Sequence, residues 1–74
     1  MTFTRVDGRE PAKIRLYTLS TCGWCRKAKN LLNELHLAYE YVDVDLLDEP
    51  TKAEVRAEVA GWNARCSFPT MIID

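Results

Sequence analysis

Apolar positions change period several times along the chain, and each change marks a new element. Residues 14–19, Ile-Arg-Leu-Tyr-Thr-Leu, form a short run rich in strand formers, broken only by Arg15. They predict a mostly buried strand. Ser20-Thr21-Cys22-Gly23 punctuates it. From Cys25 to Leu37 the period lengthens. Ala28, Leu31, Leu32 and Leu35 recur at three and four while Lys27, Lys29, Asn30 and Glu34 point the other way, the pattern of an amphipathic helix. Residues 39–45 alternate: Tyr39, Tyr41 and Asp43 share one face, and Glu40, Val42 and Val44 the other, which predicts a second strand.

Asp48 and Glu49 precede Pro50, whose fixed φ and missing N–H suit a first helical position. The helix that follows presents Val55, Val59 and Trp62 along one stripe, and Gly61 marks its end. Residues 69–74 read as a third strand, with Pro69 at a first position that tolerates a missing donor. Strand, helix, strand, helix, strand, with a first crossover of about a dozen residues, predicts an α/β domain with strands 14–19 and 39–45 as parallel neighbours. At the N-terminus, residues 2–6 suit a further strand, Asp7-Gly8 its turn, and residues 9–13 a polar connector.

Composition narrows the classes of function. The 74 residues, 47% of them hydrophobic, suffice for one small domain. With 10 Lys and Arg against 11 Asp and Glu, and no basic run, no nucleic-acid partner is expected. No apolar stretch approaches the roughly 20 residues of a membrane span, and residues 1–7 lack the hydrophobic segment of a secretion signal. The expected location is therefore the cytoplasm, with no membrane partner. Three cysteines are too few for a stapled secreted scaffold.

Two of those cysteines stand three apart in Cys22-Gly23-Trp24-Cys25, where the first strand gives way to the first helix. Cys22 falls at the helix N-terminus, where unpaired N–H groups and the positive end of the dipole favour thiolate, and Cys25 falls one turn inside. An exposed thiolate with a second thiol one turn away is the minimum apparatus for disulfide exchange: Cys22 attacks and Cys25 resolves. Gly23 lets the chain turn tightly between the sulfurs and leaves room for a partner. Trp24 is expected to be an exposed platform for that partner. The alternatives are a metal-binding or iron–sulfur assembly module using Cys22 and Cys25, and a non-catalytic interaction domain.

Cys-Gly-Trp-Cys after a strand, the βαβ spacing and Ser-Phe-Pro-Thr-Met-Ile-Ile-Asp some forty residues later resemble the thioredoxin-fold family. The short first connection and Tyr-Glu-Tyr-Val-Asp-Val-Asp resemble a glutaredoxin in particular, over residues 14–74. The resemblance implies a thioredoxin fold, a central mixed sheet with flanking helices, and residues 1–13 as an N-terminal extension able to add an edge strand. It implies Cys22 as the exposed nucleophile, Cys25 as the resolving thiol, and Pro69 as a cis-proline packed against the disulfide. The backbone of Phe68 would pair with a bound glutathione or protein substrate. It also implies protein disulfides or glutathione mixed disulfides as substrates, no resident cofactor, and glutathione or a thioredoxin-reductase-type partner as electron donor.

Several positions depart from the family pattern. Gly23 stands where glutaredoxins have proline, as in thioredoxins, and Leu19 stands where they commonly have a lysine or arginine for the glutathione carboxylate. Lys13 and Arg26 are the candidates to substitute for that cation from other directions. The family continues through a further strand, a helix and a Gly-Gly plus acidic site, whereas this chain ends at Asp74. A fragment is expected, or an edge at 70–74 covered by residues 2–6 or by a second copy in a homodimer. Among the remaining residues, Cys66 reads as a small buried thiol, with auxiliary redox or ligand roles as alternatives. His36 reads as a helix-end cap through its imidazole, Tyr17, Tyr39 and Tyr41 as sheet packing, and Trp62 as the last core contact of its helix. Asp43 and Asp45 read as turn or surface carboxylates, with proton acceptance from Cys25 as the alternative.

Overall fold

The computed structural model describes residues 3–74. In chain order the elements are β1 (Thr4–Val6), β2 (Ile14–Thr18), α1 (Gly23–Glu34), β3 (Tyr39–Asp43), a 3₁₀ turn (Val44–Leu46), α2 (Glu49–Trp62) and β4 (Thr70–Ile73). The strands form one four-stranded mixed sheet in the order β1-β3-β2-β4. β2 and β3 are parallel, from Arg15 opposite Glu40 to Thr18 opposite Asp43, and α1 connects them. β4 runs antiparallel to β2, with Tyr17 opposite Thr70 and Ile14 opposite Ile73. A mixed sheet with a helix on each face is the thioredoxin-fold arrangement.

β1 lies antiparallel to β3, Thr4 opposite Tyr41 and Val6 opposite Tyr39. Thr2, which the sequence pattern includes in this strand, lies outside the described residues. Because β1 sits at the far side of the sheet, residues 4–6 do not cover β4, whose outer edge has no strand beside it among the described residues.

Strand alternation distributes the core to two faces. Ile14, Leu16 and Tyr39 pack with Leu32 of α1 on one. Tyr17, Val42 and Val44 pack with Val55 and Val59 of α2 on the other. Arg15, the interruption in the apolar run, lies toward α2. Its Nε donates to Glu40 Oε1 at 2.8 Å, its guanidinium sits 4.5 Å over the Phe3 ring, and the neighbouring Tyr17 hydroxyl donates to Glu58 at 2.8 Å.

Element ends differ from the sequence pattern for local reasons. β3 stops at Asp43 rather than 45 because β2 ends at Thr18, its last partner. Without a neighbour the backbone tightens, and Leu47 N–H donates to Val44 O at 3.2 Å. α1 starts at Gly23 and stops at Glu34, short of Leu37. His36, at φ 56°, takes the left-handed conformation. Its N–H donates to Asn33 O and that of Leu37 to Leu32 O, both at 3.0 Å, while Leu32 and Leu37 share one apolar cluster. This is a Schellman ending: His36 terminates the helix through its backbone, not its imidazole. A side chain in that conformation is unfavourable, so His36→Gly is expected to raise the unfolding free energy by about 0.5–1 kcal/mol, read as a higher denaturant midpoint.

Three expected core contacts are exposed. Trp62 is 66% exposed, because it lies beside Thr70–Ile73 at the open sheet edge, where no further element covers it among the described residues. Leu31 and Leu35 are 53% and 45% exposed. The apolar stripe of α1 is wider than the part that meets the sheet, where Leu32 and Ala28 pack.

Candidate active site

The loop leaving β2 is tied down before it reaches the cysteines. Ser20 donates its backbone N–H at 2.8 Å and its hydroxyl at 2.5 Å to the two carboxylate oxygens of Asp45. Cys22 N–H then donates to Leu19 O at 3.2 Å, and Cys22, at φ −87° and ψ 118°, becomes the N-cap of α1. Its sulfur accepts from the backbone N–H of Cys25 at 3.1 Å. A sulfur here replaces the usual oxygen cap, so the free N–H groups of the first turn converge on it.

The two thiols are chemically unequal. Cys22 is partly exposed, and its pKa is lowered, first by a hydrogen bond from the Cys25 thiol and then by the backbone N–H groups of Cys25 and Trp24. Cys25 is 1% exposed. Burial, and secondarily its hydrogen bond with Cys22, push it up to about 11. Leu19 N–H, 3.4 Å from the Cys25 sulfur, pulls in the opposite direction.

Trp24 is 70% exposed, and the Lys27 ammonium sits 4.5 Å from its ring centroid, which holds the indole beside the cysteines. Gly23 is not at positive φ, and a Cβ there would meet nothing within 4 Å. The expected tight turn is therefore absent; Gly23 is an ordinary first helical residue that leaves the approach to Cys22 open.

The register of β2 with β4 brings the distant segment to the same end of the sheet. Tyr17 faces Thr70, so Phe68 and Pro69, just before Thr70, enter where the loop to Cys22 leaves. The Phe68–Pro69 bond is cis, and the Phe68 side chain packs into the α2-side core. Asn63 and Thr70 brace this loop: Asn63 Nδ2 donates to Ser67 Oγ at 3.0 Å and to Thr70 Oγ1 at 3.2 Å, and the Thr70 hydroxyl donates to Ser67 O at 2.6 Å. Sequence pattern reads that stretch only as irregular.

Other candidates lie elsewhere or are already engaged. Lys13 exchanges backbone hydrogen bonds with Asp74 at the opposite end of β2, roughly 17 Å of strand away from the cysteine loop, and so cannot stand in for a cation at Leu19. Leu19 itself packs against the α2-side core. Cys66, at φ 49°, points its thiol at Arg56 O, 3.7 Å away on α2. Asp45 is held by Ser20, and Asp43 accepts from the Thr18 hydroxyl at 2.6 Å and from Lys29 at 3.4 Å. Lys29 is thus on the sheet side of α1, not the solvent face its polar character suggests. Its four-residue spacing from Cys25 is the signal that could have found it. Among the described residues, no three His, Cys, Asp or Glu side chains gather as a metal site, and no helix is long and apolar enough to cross a membrane.

Known proteins share this architecture. Residues 14–74 match the family model described as glutaredoxin. The chain is 38% identical over 61 residues to glutaredoxin 1 of Rickettsia bellii, covering 82% of this chain and 61% of that protein. It thus spans about three-fifths of the length of that relative. Among solved structures it resembles the methanoredoxin of Methanosarcina acetivorans, with TM-score 0.84 and 47% identity over 89% of this chain and 70% of that one. It resembles the glutaredoxin of Methanosarcina mazei with TM-score 0.87 and 42% identity, over 96% and 69%. With a cysteine-capped helix at the end of a parallel strand and a matching sequence over the whole redox segment, the chain belongs to the glutaredoxin family.

Proposed function

We propose that the chain is a dithiol–disulfide oxidoreductase acting on protein disulfides or glutathione mixed disulfides. The observation that carries this reading is the asymmetry of the pair, a partly exposed Cys22 that caps α1 with its pKa lowered beside a buried Cys25 whose pKa is raised. The Cys22 thiolate attacks one sulfur of the substrate disulfide, forming a mixed disulfide and releasing the other sulfur as thiolate. Cys25 then displaces the bound half. Gly23 leaves the approach open, Trp24 offers an apolar face to the partner, and the backbone of Phe68 and Pro69 borders the same end of the sheet. Lys27 and Arg26, both exposed, add positive charge at the rim.

Replacing Cys25 by serine removes the resolving step but leaves the attack. Incubated with oxidised glutathione or a disulfide-bonded protein, the Cys25→Ser chain is expected to accumulate a stable 1:1 adduct on Cys22, seen by non-reducing mass measurement. Adducts on Cys66 instead, or none, would sink the reading. The electron donor is separable by the reduction potential of the pair: near about −270 mV it fits a thioredoxin-type protein reductant, and near about −200 to −230 mV it fits glutathione.

A further inference from the structure

Cys25 is the less ready of the two thiols, because the burial that shields it also opposes its ionisation. The second half of the exchange needs something to offset that burial, and one cation is built into the interface between α1 and β3. Lys29 is four residues beyond Cys25 on α1, a spacing that places both side chains on one helical face, about 5–6 Å apart at Cβ. Its side chain is only 23% exposed and its ion-pair partner Asp43 only 21%. The ammonium is 3.4 Å from Asp43 Oδ1 and 3.9 Å from the centroid of the Tyr41 ring. Asp43 is in turn positioned by the hydroxyl of Thr18, which is fully buried and donates at 2.6 Å. The titratable groups in contact with the Lys29 ammonium are thus Asp43 and Tyr41 from β3; Cys25 lies one turn back on its own helix, within reach of the Lys29 charge, and β2 contributes the neutral Thr18. A surface lysine samples many rotamers, whereas one held by a carboxylate and a ring face keeps its charge in one place.

We propose that Lys29 is a positioning residue for the resolving step: anchored by Asp43 and Tyr41 between α1 and β3, its ammonium steadies the Cys25 thiolate as it forms. This rests on the two-thiol reading above. In the mixed disulfide Cys22 carries no charge, so the anion that opposed Cys25 ionisation is gone while Lys29 remains. Cys25 loses its proton and attacks Cys22 Sγ. The Cys22–Cys25 bond forms, the bond from Cys22 to the substrate sulfur breaks, and the substrate thiolate leaves with the bonding electron pair and takes up a proton. The protein dithiol has lost two electrons and the substrate disulfide has gained them. The same cation opposes burial at Cys25 in the resting chain.

Dithiobis(nitrobenzoate) separates the two halves, because Cys22 releases one coloured thiolate on attack and Cys25 a second on resolution. In a Cys66→Ser background only these two thiols report. Lys29→Gln is expected to slow the second release by about three- to tenfold at pH 7 and to move its pH midpoint upward, leaving the first release at its original rate. Lys29→Arg, which keeps the charge, is expected to restore both rate and midpoint. A second phase unchanged in Lys29→Gln would overturn the proposal, and so would both phases slowing together with no midpoint shift, the mark of lost packing. Absence of a second phase in the Cys66→Ser chain itself would instead overturn the two-thiol reading.

Discussion

Iodoacetamide at pH 7 is expected to alkylate Cys22 in preference to Cys25 by at least about 100-fold in rate. Only the thiolate reacts, and a group with its pKa at about 11 is ionised to roughly one part in ten thousand at pH 7, against a few per cent for an ordinary thiol near 8.5. The Cys22 pKa is instead lowered, first by the hydrogen bond from the Cys25 thiol, and burial adds a barrier to reagent at Cys25. The Cys22 rate should rise about tenfold per pH unit at low pH and flatten at a midpoint lowered from that of an unperturbed thiol. Cys25→Ala removes the thiol whose hydrogen bond is the largest cause of the lowered value, so the midpoint should move up in that variant. In a Cys22→Ala chain the Cys25 midpoint should remain high, because burial, its larger cause, is untouched. Peptide mapping at several pH values reads all three. Preferential labelling of Cys25, or a Cys22 midpoint at or above the ordinary value, would contradict the assignment of roles.

Gly8→Ala is expected to lower the unfolding free energy by about 1–3 kcal/mol, although Gly8 is exposed and far from the cysteines. A Cβ at Gly8 would lie 2.6 Å from His36 O, 2.7 Å from Leu37 C and 2.8 Å from Ala38 N. All three are backbone atoms, so no side chain can swing aside. The cost is steric, not conformational, because Gly8 is not at positive φ. The contact matters because the next residue clasps the end of α1. Arg9 N–H donates to His36 O and Ala38 N–H to Arg9 O, each at 2.7 Å, and the Arg9 guanidinium donates to Leu35 O at 2.8 Å. A methyl group there pushes this segment outward and loosens β1 from β3. Denaturant melts should show the lower midpoint, amide exchange should show lost protection at residues 4–6, and Cys22 alkylation should keep its rate. An unchanged midpoint with intact protection would refute the close approach.

Much of the fold was legible because its signals are local. The change from apolar run to three-and-four spacing located β2 and α1, and alternation correctly assigned Tyr39 to one face of the sheet and Val42 and Val44 to the other. The placement of Cys22 at a helix start followed from the junction between those two patterns. Asp48 was legible as a helix start too, and its carboxylate accepts from Thr51 N–H at 2.9 Å.

What failed to be legible depends on which surfaces meet. Periodicity states that Leu31, Leu35 and Trp62 belong to apolar stripes, but only the width of the sheet beneath them decides that they stay exposed. Polar character sends Lys29 to solvent in any pattern argument, yet Asp43 and Tyr41 on β3 give it a place inside. His36 looks like an ionic cap until the chain path shows its backbone doing the work, and Gly8 looks like a turn residue until the far end of α1 is found against it. By itself the sequence determined the order of elements, the two faces of the central strands and the inequality of Cys22 and Cys25, because caps and periodicities act between residues a few positions apart. Only the tertiary structure decided what covers each face, where the Lys29 ammonium is anchored and which backbones touch, because those are contacts between segments whose separation in sequence carries no trace of their separation in space.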